Sequence, residues 1–330
     1  MSLILVTGGA GFIGSNIVAA LCDAGRRVAV CDRLGEAASG KWKNLAKHPI
    51  ADLIPEGALF GWLADNRREL ESVVHMGAIS ATNEPDADLI LRTNFDLSRD
   101  LWAWASQHGK RFIYASSAAT YGDGAAGFDD VQDVATLQAL RPLNAYGWSK
   151  ALFDAHVARE VEKNNKPLQW VGLKFFNVYG PNEYHKDGMR SVVDQIWPRV
   201  AAHEPVTLFK SHNPAYPDGG QMRDFVHVDD AVAVVLWLLD HPEVNGLYNL
   251  GTGQARSFAD LAKAAFAAVG AKPRIDYVET PEALRAQYQY FTEAKMQRLR
   301  AAGYTAPFIE LEAGVADYVK RFLSQSDRYR

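Results

Sequence analysis

The sequence predicts an α/β protein in which a doubly wound parallel sheet carries a smaller, interwoven second lobe. Two observations favour this class. Short β-rich segments alternate with helical patterns along the first half of the 330-residue chain, which is typical of a parallel sheet covered on both faces. A glycine-rich turn also joins the first strand to the first helix, as in the Rossmann-type folds that bind dinucleotides.

The predicted elements follow the chain in a regular order, because apolar β-branched runs indicate strands and helical spacing indicates helices. In the first half they are strand 3–7, helix 12–24, strands 27–31, 58–63 and 72–76, helix 86–108 and strand 111–115. In the second half they are helix 145–163, strand 170–176, an irregular stretch 179–221, strand 225–228 and helices 229–239, 258–269 and 309–323.

This order predicts two lobes. Residues 1–176, together with about 222–251, form the predicted dinucleotide-binding domain. About 177–221 and 252–330 form the predicted substrate-binding lobe, which draws on the irregular middle and the helical tail.

Composition and charge exclude several classes of protein. Apolar residues make up 48% and charged residues 22% of the chain, as in a globular protein rather than a disordered one. A net charge of −4 disfavours a nucleic-acid binder, and no apolar run reaches the roughly 18 residues of a membrane span. Cys22 and Cys31 lack a CxxC or ligand-like spacing, so we expect free thiols in a cytoplasmic protein. No group of His, Asp or Glu has metal-site spacing.

The turn after the first strand has the spacing of a dinucleotide fingerprint. In Val6–Gly14, glycines stand at positions 8, 11 and 14. Gly8 allows a tight turn, Gly11 allows the backbone to approach a pyrophosphate, and Gly14 allows close packing of helix and sheet. The helix that follows offers unpaired N–H groups to the anion.

The residues after the second strand leave the choice of dinucleotide open. Asp32 ends that strand, and an acid there accepts hydrogen bonds from the ribose hydroxyls of NAD. Arg33 and Lys41 are cations that suit the 2′-phosphate of NADP. Each of the two is also compatible with an ordinary solvated surface charge. A further expectation places Asp65 near the adenine, after the predicted strand 58–63.

A serine, a tyrosine and a lysine complete the predicted catalytic group. Tyr146 and Lys150 stand four residues apart at the start of a helix and therefore share one face. An ammonium beside a phenol, with a positive nicotinamide, favours the phenolate, which then takes a proton from an alcohol. Ser117, at the end of the fifth strand, is placed to hydrogen-bond the reacting oxygen.

In this order the motifs resemble the short-chain dehydrogenase/reductase superfamily, in particular its extended branch of nucleotide-sugar-modifying enzymes. Further stretches carry the resemblance over nearly the whole chain: 76–80, 176–181 and 223–230. It implies that NAD(P) contacts the residues Gly8, Gly11, Phe12, Ile13, Gly14, Asp32, Arg33, Lys41, Met76, Gly77, Ala78, Ile79, Ser80, Asn94, Tyr146, Lys150 and Val178. It implies that the sugar nucleotide contacts Ser117, Asn177, Lys186, Gly188, Gln195, Phe209, Arg223 and Tyr288.

Within that branch, the segments 115–122, 142–150 and 185–186 are most similar to bacterial epimerases that act on ADP-activated sugars for lipopolysaccharide. This resemblance implies tightly held NADP, an ADP-sugar substrate and a homo-oligomer. It also implies that Lys186 is a second acid/base, whereas Lys186 taken alone is an ordinary loop lysine. The chain departs from the pattern at Gly188, at residues 209–212 and at Glu56, where relatives carry a lysine that contacts the cofactor.

Three rival functions remain at this point. A sugar 4,6-dehydratase usually carries an Asp-Glu couple where this chain has Ala118 and Ala119, which move no protons. A UDP-hexose 4-epimerase needs only the first base, and Lys186 argues against it. A non-catalytic dinucleotide sensor commonly loses the tyrosine or the lysine, and both Tyr146 and Lys150 are present here.

Overall fold

A computed structural model describes residues 2–285 and 289–330. Its strands are β1 Leu3–Thr7, β2 Arg27–Cys31, β3 Asp52–Ile54, β4 Leu70–His75, β5 Arg111–Ser117, β6 Gln169–Phe175, β7 Asn177–Tyr179, β8 Val206–Phe209, β9 Met222–His227, β10 Gly246–Leu250, β11 Ala255–Ser257 and β12 Ile275–Val278. Its helices are α1 Phe12–Asp23, α2 Leu59–Asn66, α3 Ala87–Ile90, α4 Leu97–Gln107, α5 Val134–Ala139, α6 Ala145–Glu162, α7 Val192–Ala201, α8 Val228–Asp240, α9 Phe258–Ala268, α10 Glu282–Arg285, α11 Gln297–Ala301 and α12 Leu311–Tyr318.

The large sheet confirms the predicted Rossmann-type class. Among the described residues it has seven strands in the order β10-β6-β5-β4-β1-β2-β3, and every neighbouring pair is parallel. The chain runs outward from β1 through β2 to β3 and returns to the other side of β1 with β4. A crevice therefore opens at the carboxyl ends of β1 and β4, where this class of sheet binds its ligands.

The large sheet is buried on both faces. Ile4 and Val6 of β1 belong to one apolar cluster, which also contains residues of α1 and α8. Leu3 and Leu5 belong to a second cluster with residues of α4 and α6. Because neighbouring side chains of a strand point to opposite faces, helices cover both faces of this strand, and all five of its residues are buried.

A third apolar cluster holds together the elements outside the large sheet. It contains residues of α7, α9 and α12 together with β8. Beside it lie a small sheet in the order β11-β9-β7 and the parallel pair β12-β8. The division into a dinucleotide-binding domain and a substrate-binding lobe stays a prediction.

The predicted strand 58–63 is wrong. This segment lies in α2, and the edge strand is β3, which ends at Ile54. Leu59 and Leu63 are buried whereas Phe60 is 41% exposed, which is the four-residue repeat of an amphipathic helix. Asp65 consequently stands exposed in the last turn of α2 rather than at a strand end, and the expectation that it approaches adenine loses its basis.

Three other segments differ in detail from the sequence-based expectation. The predicted helix 86–108 is interrupted by a π-helical turn at Leu91–Asp96, and the predicted helix 309–323 ends in another at Val319–Leu323. The stretch 179–221, expected to be irregular, contains α7 and β8. Pro198 inside α7 obscured the helical pattern there.

Among the described helices, none combines the length and the apolar character that a membrane crossing requires.

Candidate active site

The glycine-rich turn forms one wall of a cleft of about 530 Å³ at the carboxyl edge of the large sheet. Gly8 has a φ of +66° and stands against the backbone of Gly77, after β4. A Cβ on Gly14 would lie 2.1 Å from the carbonyl oxygen of Gly8. No side chain caps the N-terminus of α1, so its first N–H groups are available to an anion. This cradle fits the pyrophosphate of a dinucleotide.

The Gly14→Ala protein is expected to bind cofactor at least about tenfold more weakly and to lose about 1–3 kcal/mol of stability, because the added methyl group overpacks the turn. Thermal unfolding with and without NADP or NAD measures both effects. Gly61→Ala in α2 is the matched control, since a Cβ there meets nothing within 4 Å. Equal cofactor affinity in the two variants would contradict the assignment of the cradle.

Two acids and two cations meet at the end of the cleft beyond β2. Asp32 accepts a hydrogen bond from the N–H of Ala10 at 2.8 Å and pairs with the Nζ of Lys41 at 2.6 Å. The side chains of Asp32 and Lys41 are only 7% and 19% exposed. Arg33 and Glu56 form a second ion pair, with 3.0 Å between Nε and Oε2. Both cations thus already have acidic partners.

The segment after β4 contributes the next part of the wall. Met76, Gly77, Ala78 and Ser80 line the cleft together with Val178. By contrast, neither Ile79 nor Asn94 is among its lining residues.

Asn94 reaches this wall indirectly. Its Oδ1 accepts a hydrogen bond from the N–H of Ile79 at 2.8 Å, and its Nδ2 donates to the carbonyl oxygen of Ile79 at 3.0 Å. The same Nδ2 donates to the Oγ of Ser149 on α6 at 3.1 Å. Asn94 lies in the π-helical turn, a local distortion often found at functional sites, and it ties the wall to α6.

The structure brings Ser117, Tyr146 and Lys150 together in the cleft. The helix α6 begins where the side chain of Asn144 accepts a hydrogen bond from the N–H of Gly147 at 2.8 Å. This cap starts the helix one residue before Tyr146, so Tyr146 and Lys150 project from its first two turns. Ser117 ends β5, and its side chain is near enough to the phenol of Tyr146 to lower the pKa of that phenol.

Burial has the largest effect on the pKa values of Tyr146 and Lys150. It raises the pKa of Tyr146, while Ser117 lowers it and Asp154 raises it further. Burial also lowers the pKa of Lys150 to about 8, and Asp154 opposes that shift. The expected stabilisation of the phenolate by Lys150 does not dominate in the protein alone.

Lys186 lines the same cleft from the loop after β7. Its Nζ lies 5.2 Å from the ring centroid of Phe12, the first residue of α1. The side chain is half-buried, and burial lowers its pKa although Glu183 opposes the shift. A lysine whose pKa is lowered exchanges its proton more readily near neutral pH than a solvated loop lysine does.

The predicted substrate residues fall into two groups. Asn177 lines the cleft, but Gly188, Gln195, Phe209 and Arg223 are not among its lining residues, and Tyr288 lies outside the described residues. Gln195 donates to the carbonyl oxygen of Arg190 at 2.6 Å.

Arg223 does not use the acid that follows it in the sequence. Its guanidinium donates to the carbonyl oxygen of Met222 at 2.8 Å and lies 5.5 Å from the ring centroid of Phe258, which does line the cleft. Asp224 instead accepts hydrogen bonds from the N–H groups of Thr252, Gly253 and Ala294. Arg223 therefore contacts a residue that lines the cleft but does not itself line it.

Sequence reasoning missed several residues of the cleft. Arg190 lines it and is paired with Asp194 at 2.7 Å. Further lining residues without an earlier assignment include Thr93, Leu97, Met189, Ser191, Val192, Phe225, Phe258 and Leu261. Only a recognised helix at 192–201 would have pointed to the first turn of α7.

The fold also brings together three side chains of the metal-ligating type. His227, Asp229 and Asp317 place one ligand atom each within 4.8 Å of the others, which no sequence spacing indicated. The Nδ1 of His227 accepts a hydrogen bond from the N–H of Asp229 at 3.2 Å, so its Nε2 carries the proton. Arg330 and Arg321 pair with the two carboxylates at 2.5 and 3.1 Å. These contacts make the cluster part of the fold's ion-pair network.

A parallel sheet with a glycine cradle, and a serine, a tyrosine and a lysine beside it, define a dinucleotide-dependent enzyme of the dehydrogenase type. The chain belongs to the NAD dependent epimerase/dehydratase family, whose model matches residues 4–251. The cofactor is accordingly a nicotinamide dinucleotide.

The chain is also similar to individual epimerases over nearly its whole length. The chain is 47% identical, over 98% of its length and 99% of the relative's, to the ADP-L-glycero-D-manno-heptose-6-epimerase of Nitratidesulfovibrio vulgaris. It is similar to the crystal structure of the enzyme of the same name from Helicobacter pylori, with a TM-score of 0.76, 27% identity and coverage of 97% and 96% of the two chains. It is also similar to the UDP-glucose 4-epimerase of Thermus thermophilus in complex with NAD, with a TM-score of 0.74, 27% identity and coverage of 96% and 97%.

Proposed function

We propose that this protein converts ADP-D-glycero-D-manno-heptose into ADP-L-glycero-D-manno-heptose, an activated sugar for lipopolysaccharide. The observation that carries the proposal is the presence of two proton-exchanging side chains, Tyr146 and Lys186, on one dinucleotide cleft. They belong to unrelated parts of the fold, α6 and the loop after β7. The high identity to relatives with this activity over nearly the full chain supports the same substrate.

The arrangement suits oxidation and re-reduction at one carbon. The nicotinamide supplies the acceptor for the hydride from C6 and later its donor. Tyr146 takes the proton of the C6 hydroxyl, and Ser117 holds the oxygen while it becomes a carbonyl. After the 6-ketone turns in the site, Lys186 gives a proton to the oxygen as the hydride returns to the opposite face. The reaction ends with no net change in redox state, and release of a proton from Tyr146 to water and uptake of one by Lys186 restore both side chains.

Incubation of the purified protein with ADP-D-glycero-D-manno-heptose, followed by NMR of the heptose, tests the proposal. The expected result is a mixture of the two C6 epimers. UDP-glucose and UDP-galactose are the comparison substrates for a 4-epimerase. Conversion of a UDP-hexose alone would overturn the choice of substrate, and binding of cofactor without conversion of any sugar would indicate a sensor.

We further propose that the resident cofactor is NADP and that NAD is a weaker substitute. Lys41 is largely shielded from solvent and stands beside Asp32 at the adenosine end of the cleft. A 2′-phosphate there is expected to gain charge-assisted hydrogen bonds from Lys41 and Arg33. Glu56 opposes this preference, because it pairs with Arg33 and adds a negative charge to the cleft wall.

The Glu56→Gln protein is therefore expected to bind NADP about two- to fivefold more tightly, with no gain for NAD, since exposed pairs are worth less than about 1 kcal/mol. Separate titrations of the two cofactors measure the ratio. Glu69→Gln is the matched control: Glu69 pairs with Arg27 at the same 3.0 Å, at the amino-terminal start of β2 and away from the cleft. An unchanged NADP-to-NAD ratio in Glu56→Gln would remove Arg33 and Glu56 from cofactor choice.

A further inference from the structure

A fully buried ion pair lies behind the Ser117, Tyr146 and Lys150 group. The Nζ of Lys174 on β6 stands 2.8 Å from the Oδ2 of Asp154 on α6, and both side chains are completely shielded from solvent. Removing two charges from water has a large desolvation cost, which further hydrogen bonds have to offset. Where those hydrogen bonds go indicates what the pair holds in place.

Both members of the pair bind hydroxyl groups at the end of β5 and just after it. Asp154 accepts hydrogen bonds from the Oγ of Ser116 at 2.6 Å and from the phenol of Tyr114 at 3.1 Å. Lys174 donates to the Oγ1 of Thr120 at 2.6 Å. Its Nζ also lies 4.7 Å from the ring centroid of Tyr121.

These contacts converge on Ser117 from both sides along the chain. Ser116, which precedes it, is held by Asp154. Thr120, which follows it, donates its own hydroxyl to the carbonyl oxygen of Ser117 at 2.8 Å. The ion pair therefore fixes the backbone of Ser117, whose side chain lines the cleft together with Tyr146 and lowers the pKa of that phenol.

Asp154 also acts along α6. It stands four residues after Lys150 and eight after Tyr146, on the same face of the helix. Its charge raises the pKa of both side chains. The other titratable or charged groups that face this set are Tyr114 on β5, Lys174 on β6, Tyr121 after β5 and His75 on β4.

We propose that Asp154 and Lys174 are the positioning residues of the active site: they hold Ser117 at the reacting oxygen and place a carboxylate on the face of α6 that carries Tyr146 and Lys150. The proposal deepens the proposed function and rests on it for the role of Ser117. Neither residue touches the cleft, so both act through their neighbours.

Two double variants separate geometry from charge. Asp154→Asn/Lys174→Gln removes both charges and keeps a hydrogen-bonding amide at each position. Its kcat/KM profile is expected to move towards lower pH on both limbs, because Tyr146 and Lys150 then each lose a proton at lower pH. Asp154→Leu/Lys174→Met removes the hydrogen bonds as well, and kcat/KM is expected to fall about 100-fold at the optimum, mostly in kcat.

The control is Glu71→Gln, which breaks the Glu71–Arg111 pair, 2.8 Å long, at the opposite edge of the same sheet. It is expected to lower thermal stability without moving the pH profile.

If the charge-free double variant does not fold, Thr120→Val cuts the link from Lys174 to Ser117 and buries no new charge. That variant is expected to lose about tenfold in kcat with KM unchanged, and an unchanged kcat would count against the proposal.

A second measurement uses no sugar substrate, so it tests the positioning role even where the proposed function is wrong. The affinity for NADPH, followed by nicotinamide fluorescence, is expected to fall as the pH is raised. In Asp154→Asn/Lys174→Gln this fall is expected to begin at a lower pH than in the parent, because Lys150 loses its proton at a lower pH. Coincident binding curves and coincident rate profiles in parent and variant would overturn the positioning role. Absence of epimerisation in the parent with a shifted binding curve would overturn the proposed function alone.

Discussion

The Tyr146→Phe protein is expected to lose about 10²- to 10⁴-fold in kcat for epimerisation, the usual range for a missing general base. Phenylalanine keeps the ring that packs at the start of α6 and removes only the hydroxyl. The hydroxyl of Ser117 remains and accepts a hydrogen bond from the backbone N–H of Ala119 at 3.1 Å, so it still holds the reacting oxygen but does not replace the phenol as general base. NMR of the heptose product over time measures the loss.

Two controls accompany this variant. Its thermal unfolding and its affinity for NADP are expected to match the parent, because the cradle at Gly8 and Gly14 is untouched. Bound NADPH is still expected to reduce an analogue with an aldehyde at C6 slowly, since Lys186 remains as a proton donor. A Tyr146→Phe protein with parental kcat would show that another group removes the proton.

The Lys186→Met protein is expected to lose interconversion of the C6 epimers by about 10²-fold or more and to keep transfer of hydride to one face. Methionine has a similar length and no proton to exchange, and it can still pack on the ring of Phe12. Single-turnover oxidation of bound NADPH by the C6 aldehyde analogue, compared with NMR of the epimers, separates the two activities.

Lys163→Met is the control for loss of a lysine, because Lys163 is 67% exposed and pairs with Glu160 just beyond the end of α6. It is expected to behave as the parent in both assays. Full epimerisation by Lys186→Met would remove Lys186 from the mechanism and leave Tyr146 to serve both faces. Loss of both activities in Lys186→Met would instead indicate a role in binding.

Patterns of a few consecutive residues predicted the parts of the site that lie within one short segment of the chain. The glycines at 8, 11 and 14 constrain a turn of seven residues, and Tyr146 and Lys150 share a face because of helical spacing alone. Ser117 was added to the predicted site because it ends a predicted strand, and the strands of a parallel sheet end at the edge where ligands bind. The choice of NADP and the homo-oligomer that the resemblance implies stay predictions.

The wrong strand prediction at 58–63 has an equally local cause. The six apolar-rich residues 58–63 suit a strand or a helix, and only the burial of Leu59 and Leu63 together decides for the helix. The role of Arg223 at the diphosphate of the substrate stays a prediction: its guanidinium lies 5.5 Å from the ring centroid of Phe258, which lines the cleft, whereas Arg223 is not among the lining residues. How near Arg223 comes to the cleft depends on how β9 and α9 pack, which no spacing along the chain records.

Periodicity and glycine spacing were sufficient for the class of fold, the cradle and the tyrosine–lysine couple, since each is a matter of a few consecutive residues. Only the packed chain joins Asp154 to Lys174 across two elements and sets the proton affinities of Tyr146 and Lys150. Exclusion of water from their side chains produces those shifts, and exclusion of water is a property of the assembled interior rather than of any segment.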